Sequence, residues 1–193
     1  MWIVGLGNPG TRYAGTRHNV GLDLLLRLVE RWRGRPAERG RAFEGFRAEV
    51  ADREVVLLAP LTYMNRSGDG LAAYETASGR RLESEATLVL SDDVYLPAGA
   101  LRLRGRGSTG GHLGLLSVER FFGSANYPRL RVGVGGTGSE ELPEHVLSGF
   151  GPAEREAVDE ALRRAEEAVE VWVRDGVEAA QNRFNRRLKE EHS

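Results

Sequence analysis

A chain of 193 residues that is 40% hydrophobic can bury one substantial core, which predicts a single domain over residues 1–193. The absence of cysteine excludes disulfides, thiolate nucleophiles and cysteine-bound zinc, and a formal net charge of -1 means that a polyanionic partner must be met by a local basic patch. No apolar run approaches a membrane span, and Met-Trp-Ile-Val enters a strand without a basic signal region, so the expectation is a soluble, cytoplasmic, monomeric protein.

Residues 2–6 read as a short buried strand ending at Gly5, Leu6 and Gly7. A polar, glycine-rich loop follows. Asn19 then stands where it can cap a helix whose apolar residues Leu22, Leu25, Leu26, Val29 and Trp32 recur at helical spacing until Gly34 and Pro36. Residues 33–41 read as an exposed, arginine-rich connector. Residues 43–51 and 54–59 form a hairpin about Asp52-Arg53, its second strand apolar and ended by Pro60. A helix starts near Asn65 or Arg66 and runs to Gly79, and residues 85–91 make an apolar strand ending at the acidic pair Asp92-Asp93. Leu101-Arg102-Leu103-Arg104 alternates, as a strand with leucines inward and arginines outward would.

The glycine-rich stretch 105–111 leads into a helix through Leu115, Leu116, Val118 and Phe122, and residues 130–134 form the last strand. A short helical piece at 142–147 is followed by a long helix at 152–175 with the stripe Val158, Leu162, Ala165, Val169 and Trp172. Gly176 breaks it, and a final helix over 177–193 continues through Val177, Ala180, Phe184 and Leu188, fraying at its end. This alternation predicts an α/β fold, a twisted mixed sheet flanked by helices on both faces in three layers. Ligands gather beyond the carboxyl ends of parallel strands in such sheets. Asn8, Asn65 and Asp92 each follow a different predicted strand, so they converge if those strands are parallel.

His18, just outside a helix start, suits a general base, because the positive end of a helix dipole disfavours imidazolium. A carboxylate from Asp92 would fix its tautomer and leave the other ring nitrogen to take a proton. No Gly-x-Ser-x-Gly elbow and no cysteine is present, so the proton would come from water. Asn8 and Asn65 can donate to a carbonyl or an oxyanion, a role whose loss costs on the order of a hundredfold in rate. Each residue also has a structural reading: His18 as a surface histidine near a cap, Asn65 as an N-cap, Asn8 as a turn residue before Pro9-Gly10, Asp92 as a turn cap and Asp93 as a solvated carboxylate. The acidic pair lacks a third magnesium ligand in the sequence, and His18, His112, His145 and His192 share no metal-ligand spacing, which argues against a metal site.

Gly5-x-Gly7-x-x-Gly10 matches the dinucleotide fingerprint, the signature of an oxidoreductase. The predicted helix waits until about Asn19, however, and no acidic residue closes a second strand roughly twenty positions on. Arg102, Arg104 and Arg106, interleaved with Gly105, Gly107, Gly110 and Gly111, read as a positive rim for phosphates. Arg131 approaches it from the last strand, and Arg183, Arg186 and Arg187 add charge near the end of the chain.

Gly5-Leu6-Gly7-Asn8-Pro9-Gly10 with Tyr13 and Thr16-Arg17-His18-Asn19, then Thr62-Tyr63-Met64-Asn65-Arg66-Ser67-Gly68, resemble the bacterial peptidyl-tRNA hydrolase family. So do Asp92-Asp93-Val94-Tyr95-Leu96-Pro97-Ala98-Gly99, Gly110-Gly111-His112-x-Gly114 and Leu130-Arg131-Val132-Gly133-Val134-Gly135, in the family's order across essentially the whole chain. The resemblance implies an esterase that frees peptides from peptidyl-tRNA without a metal or organic cofactor. By matching position, His18 would be the base, Asp92 its orienting partner, and Asn8 and Asn65 substrate ligands, with Tyr13 and Met64 near the terminal nucleotide or ester. Arg104, often lysine in the family, and Arg131 would clamp the tRNA 5'-phosphate. Leu113 stands where the family usually has an asparagine that helps hold the peptide or the water, and leucine supplies no amide. Tyr95 replaces a second aspartate, a change read as structural. Relatives that bind RNA without cleaving it are the alternative reading. Residues 140–150 are expected to act as a lid, and a backbone-reading site predicts weak dependence on the amino acid or tRNA carried.

Overall fold

The computed structural model describes residues 1–136 and 142–185. Strands β1 (Trp2–Gly5), β2 (Arg35–Arg39), β3 (Phe43–Val50), β4 (Arg53–Pro60), β5 (Thr87–Asp93), β6 (Leu101–Arg104) and β7 (Arg129–Gly133) form one sheet in the order β2-β3-β4-β1-β5-β7-β6. β1 is parallel to β4 and β5, and β5 to β7; the pairs β2-β3, β3-β4 and β6-β7 are antiparallel. The parallel strands β4, β1, β5 and β7 therefore end along one edge.

Every residue of β1 and β5 is buried, as expected of strands covered on both faces. Alternate residues feed two cores. Ile3, Leu57, Leu90 and Val132 pack with α1 (Val20–Arg31), α5 (Pro152–Asp175) and α6 (Val177–Phe184), while Val4, Leu58 and Val89 pack with α2 (Ser67–Ser78) and α3 (Leu113–Phe122). The short α4 (Leu142–Val146) follows the last strand. The two-sided α/β fold is thus the one the sequence predicts.

Several local expectations change. Residues 33–41 are not a connector: Arg35–Arg39 form edge strand β2, pairing antiparallel with β3 across an irregularity between Pro36 and Arg39. Proline and charge suit an edge, which is why no apolar alternation marks this strand. The hairpin turn is Ala51-Asp52, both at positive φ (51° and 59°), one residue earlier than Asp52-Arg53. Helix α1 buries Val20, Gly21, Leu24, Leu25 and Leu28, and Leu26 is exposed. The leucine run supports two overlapping stripes, and packing on the sheet chose between them. α2 begins at Ser67, after a 3-10 turn over Met64–Arg66, and ends at Gly79 in the left-handed region. The part of the predicted final helix beyond residue 185, with Leu188, Arg186, Arg187 and His192, lies outside the described residues, as do positions 140 and 141 of the predicted lid.

Gly5 and Gly21 show why the glycine fingerprint misleads. A Cβ on Gly5 would meet Leu25 Cβ at 2.5 Å, and one on Gly21 would meet the Leu90 carbonyl oxygen at 2.4 Å. These glycines let α1 lie directly on β1 and β5, which brings its N-terminal turn to the strand ends. At the other end of the sheet, Asn185 closes the β6 edge: its side chain accepts from the Leu103 N–H and donates to the Leu103 carbonyl, each at 2.9 Å.

Candidate active site

Because β1, β4 and β5 run parallel, the segments that follow them meet. Asn8 Oδ1 accepts the Met64 N–H at 2.8 Å, which ties the loop after β1 to the turn after β4 and, among the described residues, leaves the Asn8 NH2 group as an unspent donor. Asn19 occupies the N-cap position of α1 without capping it. Its amide instead embraces the Asn8 backbone, accepting from the Asn8 N–H at 2.8 Å and donating to the Asn8 carbonyl at 2.9 Å. Buried peptide groups need partners, and this pair satisfies two of them where the sheet has ended. Asn65 is not an N-cap either: it is an exposed residue of the 3-10 turn, and Arg66 precedes α2.

Asp92, 2% exposed at the end of β5, receives both histidines on one oxygen. His18 Nδ1 lies 2.9 Å and His112 Nε2 2.8 Å from Asp92 Oδ1. The tautomer of His112 follows from its other nitrogen. Nδ1 accepts the N–H groups of Gly114 and Leu115, at 3.0 and 3.2 Å, as the N-cap of α3, so the ring proton is on Nε2 and is donated to Asp92. Burial by itself would raise the Asp92 carboxyl, but the adjoining imidazoles of His112 and His18 and their hydrogen bonds outweigh it and hold the carboxyl well below the usual carboxylate range. His18 Nδ1–H then donates to a carboxylate, and its Nε2 is left for chemistry. The donor atoms of His18, Asp92 and His112 lie within 4.8 Å of one another, close enough to hold a cation. Sequence spacing gives no hint of that cluster. The ring nitrogens that face Asp92 are already used in hydrogen bonds, and so is the far nitrogen of His112.

These groups lie in a cavity of about 580 Å³ whose lining includes Asn8, His18, Met64, Asn65, Asp92, Leu113 and Arg131. Tyr13 and Arg104 are outside that lining. Tyr13 reaches it indirectly, its ring edge-on to Tyr63 with centroids 6.4 Å apart. The cavity also exposes Tyr63, Tyr95, Leu113 and Leu147, at 60, 63, 55 and 44% of their surface, and so carries most of the large exposed apolar side chains of the described residues. Tyr95 therefore faces this cavity. The sequence reading weighs His112 only as a metal ligand and gives Tyr63 no role of its own, although both sit inside the motifs quoted above; a histidine immediately before a helix is the signal that marks His112 as a cap.

The basic edge is less uniform than its sequence. Register pairs Arg102 with Arg131 and Arg104 with Arg129, which puts four arginines on one face. Arg129 is 1% exposed, and its guanidinium donates to the carbonyls of Gly107, Ser108, Ala125 and Tyr127 and lies 3.9 Å from the Tyr127 ring centroid. It organises the glycine-rich loop from beneath. Arg131 donates to Asp93 Oδ2 at 3.1 Å and to the Ser108 carbonyl at 2.5 Å. Asp93 is accordingly buried, not solvated, and its other oxygen takes the Tyr95 N–H at 2.9 Å. Arg104 is the exposed member of the four.

The family model described as Peptidyl-tRNA hydrolase matches residues 2–192. The chain belongs to the peptidyl-tRNA hydrolase family. A peptidyl-tRNA hydrolase of Symbiobacterium thermophilum is 48% identical over 95% of this chain and 97% of its own length, and one from a Synechococcus strain is 46% identical over 95% and 82%. The crystal structure of an Arg119Gln mutant of the peptidyl-tRNA hydrolase from Acinetobacter baumannii superposes with a TM-score of 0.88 at 34% identity, covering 95% of this chain and 93% of that one. Membership of the peptidyl-tRNA hydrolase family agrees with the reading of the sequence motifs, and the dinucleotide reading is set aside.

Proposed function

We propose that this protein hydrolyses the ester linking a peptide to tRNA, releasing the peptide and recycling the tRNA, without a metal or organic cofactor. The observation that carries the reading is His18 held by an ionised Asp92 beside the free amide of Asn8, at the floor of a cavity large enough for a peptidyl ester. His18 Nε2 takes a proton from water, which attacks the ester carbonyl. The Asn8 NH2 group, its oxygen already committed to Met64, donates to the carbonyl oxygen as charge develops there. Asn65 supplies a further amide, and Met64 with Tyr13, through Tyr63, flanks the terminal nucleotide. Imidazolium then returns the proton to the departing ribose oxygen. Arg104 and Arg131 are the phosphate ligands of the acceptor end in this reading, and Leu113 meets the peptide with an aliphatic surface, so that the polar contacts fall to the two asparagines. The protein acts as a single-domain monomer in the cytoplasm, where its substrate is made; among the described residues no helix is long and apolar enough to cross a membrane.

The decisive experiment compares an N-acetylated aminoacyl-tRNA with its unacetylated counterpart, using wild type and His18→Ala with a filter-binding control. Cleavage of the acetylated substrate alone by wild type, with binding but no cleavage by the variant, is the expected result. Binding without cleavage by both would leave an RNA-binding protein, and cleavage by both would remove His18 as the base.

A further inference from the structure

The bonds of Arg17 run away from the cavity, although its neighbour His18 lies in it. The Arg17 backbone N–H donates to the Ser148 carbonyl at 3.0 Å, and Nε donates to Ser148 Oγ at 3.3 Å. Nη1 donates to the Val134 carbonyl at 2.6 Å and to Glu154 Oε1 at 2.9 Å, while Nη2 donates to Glu154 Oε2 at 2.8 Å. The guanidinium also sits 4.8 Å from the Phe150 ring centroid. One buried side chain thus joins the residue after β7, the segment after α4 and the first turn of α5 to the backbone next to His18. A fork of this kind is specific to arginine, since an ammonium cannot make the paired contacts.

What is fastened matters because Val146 and Leu147, directly before Ser148, line the cavity. His18 has anchors of its own in Asp92 and in the grip of Asn19 on Asn8. Among the described residues the wall has few: besides Arg17, His145 Nε2 lies 2.5 Å from the Gly135 carbonyl. We propose that Arg17 is a positioning residue that sets the width of the substrate cavity, holding the Val146-Leu147 wall at a fixed distance from the base. The proposal rests on the hydrolase reading above. Loosening the clamp leaves the proton chemistry in place and lets the wall drift. A substrate whose peptide reaches the wall therefore loses binding, and one with a minimal acyl group does not.

The test measures steady-state kinetics on an N-acetyl-aminoacyl-tRNA and on a tripeptidyl-tRNA with the same esterified residue, for wild type, Arg17→Lys and Glu154→Gln. In Arg17→Lys the KM for the tripeptidyl substrate should rise on the order of tenfold, with a smaller rise in Glu154→Gln, while the KM for the acetyl substrate and both kcat values stay within about threefold. A purely structural role would lower the melting temperature and the active fraction, cutting kcat equally on both substrates at unchanged KM. That pattern, or wild-type KM values in the folded variants, overturns the proposal. Should Arg17→Lys fail to fold, Glu154→Gln, which keeps the side-chain shape but removes the charge and replaces one of the two oxygens that accept from Arg17 by an NH2 donor, decides the matter by the same criterion. A wild type that cleaves neither substrate defeats the hydrolase reading and this proposal with it; a wild type that cleaves both, with unchanged variants, defeats this proposal alone.

Discussion

The cavity floor and the arginine edge of the sheet are both polar surfaces assembled from distant parts of the chain, and they are built in opposite ways. At the floor, Asn8, Asn19, His18, His112 and Asp92 are tied to one another or to backbone by hydrogen bonds of 2.8 or 2.9 Å. Along the edge, Arg129 is consumed by carbonyls, Arg131 is anchored on Asp93 and the Ser108 carbonyl through two of its five N–H groups, and Arg104 projects into solvent. Proton transfer demands placement within tenths of an ångström, so its groups are immobilised by partners. Attraction of a phosphate tolerates a mobile cation and depends on salt instead. The two regions should therefore fail differently when altered.

The largest effect is expected at the floor. His18→Ala should lower kcat by roughly 10²–10⁴, the usual contribution of a general base, and Asp92→Asn by at least about a hundredfold, with tRNA retention on filters unchanged in both. Arg131 belongs to both regions, and it sharpens the contrast. Arg131→Ala leaves the buried Asp93 carboxylate without its cation and should cost about 3 kcal/mol of stability in denaturant unfolding, besides weakening tRNA binding. His112 separates position from stability: Ala should cost about 1 kcal/mol by uncapping α3, whereas Asn can cap the helix, and both should reduce kcat by roughly tenfold through loss of one charge-assisted bond to Asp92. Equal kcat in His112→Asn and wild type would detach His112 from the site.

Arg104→Ala should leave kcat intact and flatten the dependence of log binding constant on log salt by about one unit, the mark of one lost phosphate contact. The smallest effect concerns acid. Hydrogen bonds from Arg17 and then from Gly151, against a small contribution from burial, bring Glu154 down to about 2 from the ordinary 4.5. A depressed carboxyl stabilises the fold above its unfolded value and loses that contribution as pH falls toward the folded one. The melting-temperature gap between wild type and Glu154→Gln should thus be full at neutral pH and close between 4.5 and about 2; because Glu154 is partly exposed, the gap should be small throughout.

Strand ends and helix starts are legible in the sequence because they obey local periodicity. One apolar stripe and two terminators bound the long helix at 152–175, and Asn8, Asn65 and Asp92 converge because β1, β4 and β5 run parallel. A cap is the local expectation for Asn19, but the peptide it binds lies 11 residues away across a turn. Asp93 reads as solvated for a similar reason: nothing nearby in sequence announces Arg131, 38 residues on. β2 carries no signal in the sequence because an edge strand has no obligation to alternate apolar residues.

The alternation of strands and helices, the position of a polar loop beyond the first strand, and the set of residue types able to run water-mediated ester hydrolysis all follow from local patterns along the chain. Which atoms meet is set by the packed fold: His112 on Asp92, Asn19 on Asn8, and Arg17 on Glu154, the last pair 137 residues apart. Periodicity reports which face of an element is buried, and it is a property of neighbours along the chain. Pairing of polar groups across the sheet depends on strand order and register, which are settled only when the whole core packs.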